Sequence, residues 1–540
     1  MSIMKNNIVT ALAVVAFALV AGAAEKRWLG TDATNPTLAS VAANWDPAGA
    51  PTAADDVVLD AGSNNNPMTW DLDNGVASWT QSDYTGTVTF MTGTSYGSYT
   101  CYGVTQADGS KALEISGNLT LSSGIWTHET TPSMTPAMKN ENLYKKGFGI
   151  YRLIVKVGGN CTIASGATID VNSKGFGTDG PGTGSINGGN TANHGGFGGY
   201  YYSSQTNSAF IYGSTKMPIS LGSGRDTRGG GAVRLSIAGT LALDGTISAI
   251  GTRDKNYPGS GGSIWITAAT LSGSGSVFVD GGAGVSGAGS AGGGRIAVYL
   301  TGEGADFTDF TGTITSRNTN NYGTCGTVYL ETAADNGAGK LVLACGTNAS
   351  TSQQIGSRPE LCTPLKADDS SEFTFSEVKF DNWTNLGIMP GVTATVASVS
   401  ASQTARNFIT LYGGALKLSG DGGNFTLSSA TLRTYTSESY ISVGESGTGA
   451  LTIASGATMS MNATTTIDGL LVATGTVSLG ADATVKDFQL PKKSTVNLNG
   501  HVLTVTNPAK RKSQSVLGTI AGGTIDDIVW PQRGLMLFFR

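Results

Sequence analysis

Apolar and polar residues alternate with period two in four short segments near the middle of the chain, and each segment begins with a glycine. The four segments are residues 231–237, 262–267, 294–300 and 326–331. Their leading glycines are 31, 32 and 32 residues apart. Period-two alternation is typical of a strand with one face in a core. A fixed repeat of this length predicts a stack of similar units, none of which buries its apolar face alone. We therefore predict an all-β protein built as a β-solenoid.

Aligning the four segments on their leading glycines separates an inward face from an outward face. The second and fourth residues after each glycine are apolar, namely Val233, Ile264, Ile296 and Val328, then Leu235, Ile266, Val298 and Leu330. We expect these two columns to face the core, and the third and fifth positions to face away from it. The outward columns hold Arg234, Trp265, Ala297 and Tyr329, then Ser236, Thr267, Tyr299 and Glu331. Because stacked strands lie about 4.8 Å apart, Trp265, Tyr299 and Tyr329 should lie near one another on one outer sheet.

Similar strands extend well beyond these four segments. The string Thr-Ile-Ala-Ser-Gly-Ala-Thr occurs at 162–168 and again at 452–458. An identical string at such a distance predicts one architecture for residues 89–507. The alternation of apolar and polar residues stops at about 173–228, where Gly-Gly pairs and three consecutive tyrosines occur instead. We predict one long glycine-rich loop there, leaving a corner of the solenoid. Long loops in compact proteins are often functional, and plain flexibility is the alternative.

Residues 1–24 predict a secretory signal peptide. Lys5 supplies a positive charge, residues 8–20 are largely apolar, and the small residues 21–24 form a cleavage site. The apolar run is shorter than the roughly 20 residues of a membrane-spanning helix, and no later stretch approaches that length. We therefore expect an exported mature chain without a transmembrane helix. A retained N-terminal anchor is the alternative.

Residues 25–88 have a different sequence pattern from the glycine-led repeats. They contain Trp28-Leu29-Gly30, Asn44-Trp45-Asp46, Pro51 and the short segment Asp55-Asp56-Val57-Val58-Leu59-Asp60. This opening resembles that of many secreted β-helical proteins of Gram-negative bacteria. The resemblance implies that the β-helix begins here. On physical grounds, an aromatic-rich first coil can cover the open end of the helix, where apolar side chains and unpaired strand edges would otherwise be exposed. We expect Trp28 and Trp45 to be capping residues and not platforms for sugars.

The repeats carry a further resemblance. Glycine runs followed by alternating strands look like those of glycine-rich secreted right-handed parallel β-helices, and the short strands within 411–507 resemble the strand repeats of autotransporter passenger domains. The resemblance implies a right-handed parallel β-helix in the medium or on the outer surface of a Gram-negative-type bacterium, with the periplasm as an alternative. An autotransporter ends in a membrane barrel of many strands, and residues 508–540 are too few for one. We expect this tail to be a terminal cap or a sorting segment.

The composition indicates a folded chain with many turns, and it bears on the choice of partners. Glycine accounts for 78 of the 540 residues, and charged residues make up only 13%. Corner turns explain the glycine, because such turns often need a positive φ. The regular alternation of valine, isoleucine and leucine predicts a folded chain and not a disordered one. The formal net charge of −5 gives no reason to expect nucleic acid as a partner.

Five cysteines occur, at positions 101, 161, 325, 345 and 362. Their spacing contains no Cys-x-x-Cys pair, which argues against a metal site and against a dense disulfide framework. One pair could close in an oxidising compartment, and Cys345 and Cys362 are the nearest in sequence. The alternative is that all five are small buried residues within strands.

The sequence offers little for catalysis. Enzymes of the pectate-lyase-like β-helix class place aspartates and an arginine on one outer sheet, often with calcium. The carboxylates hold the metal or share protons, and the arginine stabilises the charge that develops on the substrate. The strongest local cluster here is Arg225-Asp226-Thr227-Arg228, which we interpret as a solvated ion pair. The three histidines lie far apart, and no serine-histidine-aspartate or zinc-protease motif occurs. We predict no catalytic residues, no metal and no cofactor. A polysaccharide-active β-helix enzyme is the alternative.

The outward aromatic residues give the functional hypothesis. Trp265, Tyr299 and Tyr329 recur at strand spacing beside the long loop, and aromatic faces can pack on the flat CH faces of sugar rings. The alternative is packing between strands that stabilises the sheet under the loop. We predict an exported structural or adhesive protein that contacts a polysaccharide or cell-surface glycan through these three residues. A spacer without a ligand is a further alternative.

Overall fold

The computed structural model describes residues 23–93, 100–131, 151–178, 180–182, 192–199, 211–225, 227–253, 256–285, 289–318, 323–346, 359–402, 406–507 and 515–531. Residues 1–22 of the predicted signal peptide, parts of the predicted 173–228 loop and parts of the 508–540 tail lie outside these ranges. Within the described ranges the chain forms 41 strands and six single turns of 3₁₀ helix.

The strands are short and follow one another along the whole described chain. The first twenty are β1 (Glu25–Trp28), β2 (Trp45–Asp46), β3 (Asp56–Leu59), β4 (Met68–Trp70), β5 (Ser78–Gln81), β6 (Thr87–Phe90), β7 (Val104–Thr105), β8 (Lys111–Ile115), β9 (Leu119–His128), β10 (Leu153–Val157), β11 (Cys161–Asp170), β12 (Ala232–Ile237), β13 (Thr240–Leu243), β14 (Thr246–Ser248), β15 (Ser263–Ala268), β16 (Thr270–Ser272), β17 (Ser276–Phe278), β18 (Arg295–Leu300), β19 (Thr313–Thr315) and β20 (Thr327–Thr332).

The remaining strands are β21 (Lys340–Ala344), β22 (Thr363–Leu365), β23 (Glu372–Phe375), β24 (Glu377–Asp381), β25 (Asn385–Ile388), β26 (Thr393–Val396), β27 (Val399–Ala401), β28 (Phe408–Leu411), β29 (Ala415–Leu418), β30 (Phe425–Leu427), β31 (Thr431–Thr434), β32 (Ser439–Val443), β33 (Ala450–Ile453), β34 (Thr458–Met461), β35 (Thr465–Ala473), β36 (Thr476–Leu479), β37 (Ala483–Gln489), β38 (Thr495–Asn497), β39 (Leu503–Val505), β40 (Thr519–Ala521) and β41 (Ile528–Val529). The 3₁₀ turns are Ala42–Asn44, Ala61–Ser63, Ala333–Asp335, Asp421–Gly423, Glu445–Gly447 and Ile525–Asp527.

All 41 strands belong to four large sheets, named A to D. Sheet A has 13 strands, with the main path β19-β17-β14-β11-β9-β5-β3-β1-β2, and sheet B has ten, in the order β27-β24-β21-β20-β18-β15-β12-β10-β8-β7. Sheet C has eight strands from β22 to β40, and sheet D has ten, with a main path from β23 to β41. The pairs between these described strands are parallel except β1 with β2, β7 with β8 and β20 with β21.

The strand order describes how the chain advances. In the first half the chain leaves sheet B, adds strands to sheet A and returns to sheet B beside the strand it left. Strand β12 is followed by β13 and β14 in sheet A and then by β15, which pairs with β12. Strands β24 to β27 visit sheets B, C and D and return to B in the same way. The protein is therefore all-β with long, mainly parallel sheets. The strands that the period-two alternation predicted, and the all-β class, are confirmed.

The first of two large apolar cores lies between sheets A and B. It contains seven of the eight residues predicted to face inward, and each is at most 3% exposed: Val233, Leu235, Ile264, Ile266, Ile296, Val298 and Val328. The eighth, Leu330, is partly buried against the same core. The prediction of the inward columns is confirmed at these positions.

The second core begins on the other face of sheet B. Strand β21 runs antiparallel to β20, with Tyr329 opposite Leu341 and Val328 opposite Val342. Tyr329 and Leu341 belong to the second core, whereas Val328 and Val342 contact the first. Neighbouring side chains along a strand point to opposite faces, so β20 and β21 have an apolar core on each side. From β21 onward, the buried apolar residues of sheets C and D belong to the second core.

Sheet A ends in an antiparallel pair that contains the two N-terminal tryptophans. Trp28 of β1 lies opposite Trp45 of β2. Their side chains are 0% and 2% exposed, and their ring centroids are 5.1 Å apart in an edge-to-face arrangement. Such aromatic pairs bury a large apolar area, which is what residues at the end of a stack are expected to do.

The described parts of the predicted 173–228 loop pack closely against the glycine runs that precede β12, β15 and β18. The backbone N–H groups of Gly195 and Gly196 both donate to the carbonyl oxygen of Gly293, at 3.0 Å. A Cβ added to Gly294 would overlap the carbonyl oxygen of Gly262. Because only glycine permits such close backbone approach, the glycine runs here are a packing requirement as well as a source of turns.

Candidate functional site

The outer face of sheet B carries the aromatic residues that the sequence singles out. Arg234, Trp265, Ala297 and Tyr329 lie in register on the neighbouring strands β12, β15, β18 and β20. The guanidinium of Arg234 is 4.4 Å from the ring centroid of Trp265, and its Nη1 is 3.1 Å from Oδ2 of Asp108. A cation over an indole face is attracted by the ring electrons, so this arrangement orients the two side chains together.

Residues 211–221, named the covering segment, lie over part of this face. The hydroxyl of Tyr299 donates to the carbonyl oxygen of Lys216 at 2.6 Å. The ammonium of Lys216 is 4.9 Å from the ring centroid of Tyr329. Arg295 Nε donates to a carbonyl oxygen of the segment at 3.0 Å. These contacts hold the covering segment over β18 and β20.

The three aromatic residues predicted to bind sugar therefore have different surroundings. Their rings do lie near one another, with centroid distances of 6.4 Å between Trp265 and Tyr299 and 5.8 Å between Tyr299 and Tyr329. Tyr329 is 0% exposed, and its hydroxyl accepts a hydrogen bond from the backbone of Gly339 at 3.0 Å. Tyr299 is partly buried, and burial raises the pKa of both hydroxyls. Tyr329 is thus a core residue, and of the three only Trp265 lines an open groove.

This groove has a volume of about 790 Å³, which is within the usual range of small-ligand sites. Its walls are the outer face of β10, β12, β15 and β18, the covering segment, and residues 364–369 at and after β22. The charged side chains in these walls are Arg152, Arg234, Arg295, Lys366, Asp108, Asp368 and Asp369. The groove therefore combines four cations, three carboxylates and the indole ring of Trp265.

Two of the cations are buried. Arg152 is 4% exposed and Arg295 is 2% exposed. Burial lowers the pKa of Arg152 to about 10, which leaves its guanidinium protonated at neutral pH. Burial also lowers the pKa of Arg295, whose Nη1 donates to the hydroxyls of Thr215 at 3.0 Å and Thr327 at 3.2 Å. Buried charges need such partners, and the result is positive charge in a fixed position.

Asp108 supplies a negative charge at the edge of the groove. Its Oδ1 accepts a hydrogen bond from the Ser110 hydroxyl at 2.6 Å, and its Oδ2 pairs with Arg234. The Ser110 hydroxyl, followed by the Ser110 backbone and Arg234, holds the pKa of Asp108 below its usual value. The carboxylate is therefore ionised at neutral pH.

Residues 366–369 connect the covering segment to the second half of the chain. Asp369 Oδ2 accepts from the backbone N–H of Thr215 at 2.7 Å, across 154 residues of sequence. Lys366 Nζ donates to the carbonyl oxygen of Ile211 at 2.7 Å and to Asp368 at 3.0 Å. The groove is consequently built from segments that lie far apart along the chain.

The two buried arginines were not among the site residues predicted from the sequence. Arg295 occupies the first position after its leading glycine, where the other three segments have Ala232, Ser263 and Thr327. A single charged residue among small residues at the same aligned position is a sequence signal by which Arg295 could have been identified. Arg152 lies outside the four aligned segments, and its place beside them follows from the pairing of β10 with β12.

The remaining chemistry-bearing residues lie elsewhere. Arg225 packs over the ring of Tyr257 at 3.8 Å, and its sequence neighbour Asp226 is outside the described residues. His128 and His194 are fully buried and hydrogen-bonded to backbone groups. In the part of the chain that the structure describes, no group of three or more histidine, cysteine, aspartate or glutamate side chains could hold a metal ion.

Among the described residues, no helix has the length and apolar character needed to cross a membrane. No protein-family model, curated protein or solved structure matches this chain.

Proposed function

We propose that this chain is an exported right-handed parallel β-helix that acts as a structural or adhesive protein at a bacterial surface, and that its groove binds a glycan. The repeated return of the chain to the neighbouring strand of the same sheet supports the helix. Connections between parallel strands of one sheet are right-handed in nearly all proteins, which supports the hand. The resemblance of the glycine-led strands to those of secreted β-helices of Gram-negative bacteria supports the export.

The reversal between β20 and β21 is consistent with a single hand throughout. Sheet B adds strands in one direction from β8 to β27, while the strand direction reverses at this pair. The hand of a β-helix depends on its direction of advance, on the direction of its strands and on which face of the sheet its axis lies. If the strands reverse while the direction of advance stays the same, the hand is kept only when the axis moves to the other face of the sheet. The change from the first core to the second at Tyr329 and Leu341 corresponds to that move.

One observation supports the glycan proposal: the groove places a partly exposed aromatic ring beside fixed charges of both signs. Indole rings pack on the CH faces of sugars. Arginine and ionised carboxylate groups form strong hydrogen bonds with polar ligands, and Arg234 and Asp108 lie beside the Trp265 ring. A sugar presents both an apolar face and a rim of hydroxyls, so it matches both parts of this wall.

The proposal includes no catalysis. Cleavage of a glycosidic bond by a pair of carboxyl groups needs one of them to be protonated, and the lowered pKa of Asp108 opposes that role. Asp368 is paired with Lys366, and Asp369 binds the backbone of the covering segment. A polysaccharide-active enzyme of the same fold is the alternative that the experiment addresses.

A glycan array tests the proposal with three proteins: the unaltered chain, Trp265→Ala and the control Tyr440→Ala. Tyr440 of β32 is 41% exposed and lies outside the groove. We expect the unaltered chain to bind a subset of glycans. We expect Trp265→Ala to weaken that binding by roughly tenfold or more, which is the effect of losing about 1.4 kcal/mol of contact. Tyr440→Ala should bind as the unaltered chain does.

Two results would count against the proposal. Binding that is equally tight in Trp265→Ala, in protein that melts at the same temperature as the unaltered chain, would refute the groove as the site. Release of oligosaccharides from any polymer that the chain binds would overturn the non-enzymatic function.

A further inference from the structure

Cys325 lies two residues before β20, and Cys345 directly follows β21. The two cysteines therefore flank the antiparallel pair at which the strand direction reverses. Strands β20 and β21 are antiparallel, with Val328 opposite Val342. In this register, the residue one position before Val328 lies opposite the residue one position after Val342, and so on along the pair. Continuing this register by three residues places Cys325 directly opposite Cys345.

A direct contact supports the continued register. The backbone nitrogen of Cys325 donates to Sγ of Cys345 at 3.3 Å. Both side chains are 1% exposed and belong to the second core. Directly opposed residues on antiparallel strands have Cα atoms about 4.5 to 5.5 Å apart, which is within the range of about 4.4 to 6.8 Å that a disulfide spans. Burial, and then the hydrogen bond with the side chain of Cys325, raise the pKa of Cys345.

Cys362, the third cysteine of this region, points elsewhere. The hydroxyl of its neighbour Thr363 is 3.6 Å from Sγ of Cys325. Cys362 stands in a bend immediately before β22, and it is not part of the second core, to which Cys325 and Cys345 belong. It packs instead with Phe197 in a separate apolar cluster. The geometry therefore does not favour Cys345 with Cys362, the pair that is nearest in sequence.

We propose that Cys325 and Cys345 form a cross-strand disulfide that fixes the reversal between the two cores. The oxidant is a small disulfide of the glutathione disulfide class. One cysteine thiolate attacks its S–S bond, forms a mixed disulfide and releases one thiolate; the second cysteine attacks the mixed disulfide and releases the other. Two cysteine thiols are oxidised, one external disulfide is reduced to two thiols, and the two cysteine protons pass to the released thiolates. Because both side chains are buried in the folded chain, this exchange precedes their burial.

The pairing goes beyond the proposed glycan binding, and its test is independent of it. The full chain is refolded in a buffer of reduced and oxidised glutathione, denatured, and alkylated with iodoacetamide. We expect three of the five cysteines to be alkylated. Digestion without reductant should release one linked peptide that contains Cys325 and Cys345, and reduction should separate it.

Matched variants distinguish this pair from the others. Cys362→Ser should keep the linked peptide and leave two alkylated cysteines, whereas Cys325→Ser should lose it and leave four. Reductant should lower the melting temperature of the unaltered chain and of Cys362→Ser. Five alkylated cysteines in the refolded unaltered chain, or a linked peptide that joins any other pair, would overturn the proposal. If Cys325→Ser does not fold, the peptides from the unaltered chain and from Cys362→Ser decide the question.

Discussion

Tyr329 and Leu341 lie opposite each other on antiparallel strands, and both are fully buried in the second core. The residues beside them, Val328 and Val342, contact the first core on the other face of the same sheet. The face that is outward for the first half of the chain is thus inward for the second half. This explains why Tyr329, which the alternation directs away from the first core, has no exposed surface.

Replacing Tyr329 by alanine should destabilise the protein strongly. The change removes a buried aromatic ring and leaves a cavity where the two halves of the chain meet, which typically costs about 3 to 5 kcal/mol in the free energy of unfolding. Denaturant titration followed by circular dichroism measures the loss. Tyr440→Ala, at a tyrosine that is 41% exposed, should change the free energy by no more than about 0.5 kcal/mol. Equal losses in the two variants would show that Tyr329 is not a core residue.

The glycine runs should tolerate substitution only where the backbone leaves space. Gly294→Ala places a Cβ against the carbonyl oxygen of Gly262, and that backbone cannot move without disturbing the next strand. We expect a large fall in melting temperature or a failure to fold. Gly177→Ala should melt as the unaltered chain does, because a Cβ there meets no atom within 4 Å. A Gly294→Ala protein of normal stability would disprove the close packing.

The register of β15 predicts opposite outcomes at adjacent positions. Ile266 is 1% exposed in the first core, whereas Thr267 is on the other face and is partly exposed. Ile266→Asp should cost several kcal/mol, because it buries a carboxylate without a partner. Thr267→Asp should have a small effect. Differential scanning calorimetry compares the two, and a similar melting temperature for both would mean that the register is wrong.

Acid should destabilise the protein through two buried histidines. Burial lowers the pKa of His128 and of His194 to about 3. In the unfolded chain a histidine has a pKa of about 6.5, so below that pH the unfolded state binds protons that the folded state does not. Stability should therefore fall as the pH falls from 6.5 toward 3, by roughly 1.4 kcal/mol per pH unit for each histidine.

Denaturant titrations between pH 7 and pH 5 measure this slope above the range in which most carboxylates titrate. His128→Gln and His194→Gln should each reduce this slope by about 1.4 kcal/mol per pH unit, which corresponds to one fewer proton taken up on unfolding. This holds even if the variants lower stability at pH 7. His128 Nε2 accepts from the backbone N–H of Ala232 at 3.2 Å, so protonation would break that bond. A slope that is unchanged in both variants would exclude these two histidines as its cause.

Much of the local structure was predictable from the sequence. The alternation in the four glycine-led segments identified β12, β15, β18 and β20, and it separated Val233 and Leu235 from the outward Arg234. The direction of a side chain in a strand is set by its own backbone, so period two records it directly. The single outlier among small residues at Arg295 was also visible in the sequence.

What covers the outward face was decided only by the tertiary structure. The covering segment, Asp369 and Lys366 reach this face from residues that lie as much as 155 positions apart, and contacts over such distances leave no periodic mark in the sequence. The same holds for the second core, which buries Tyr329 by bringing β21 alongside β20. The sequence alone determined which residues point away from the first core. Which of them end in solvent, in the groove or in the second core depends on where distant segments pack.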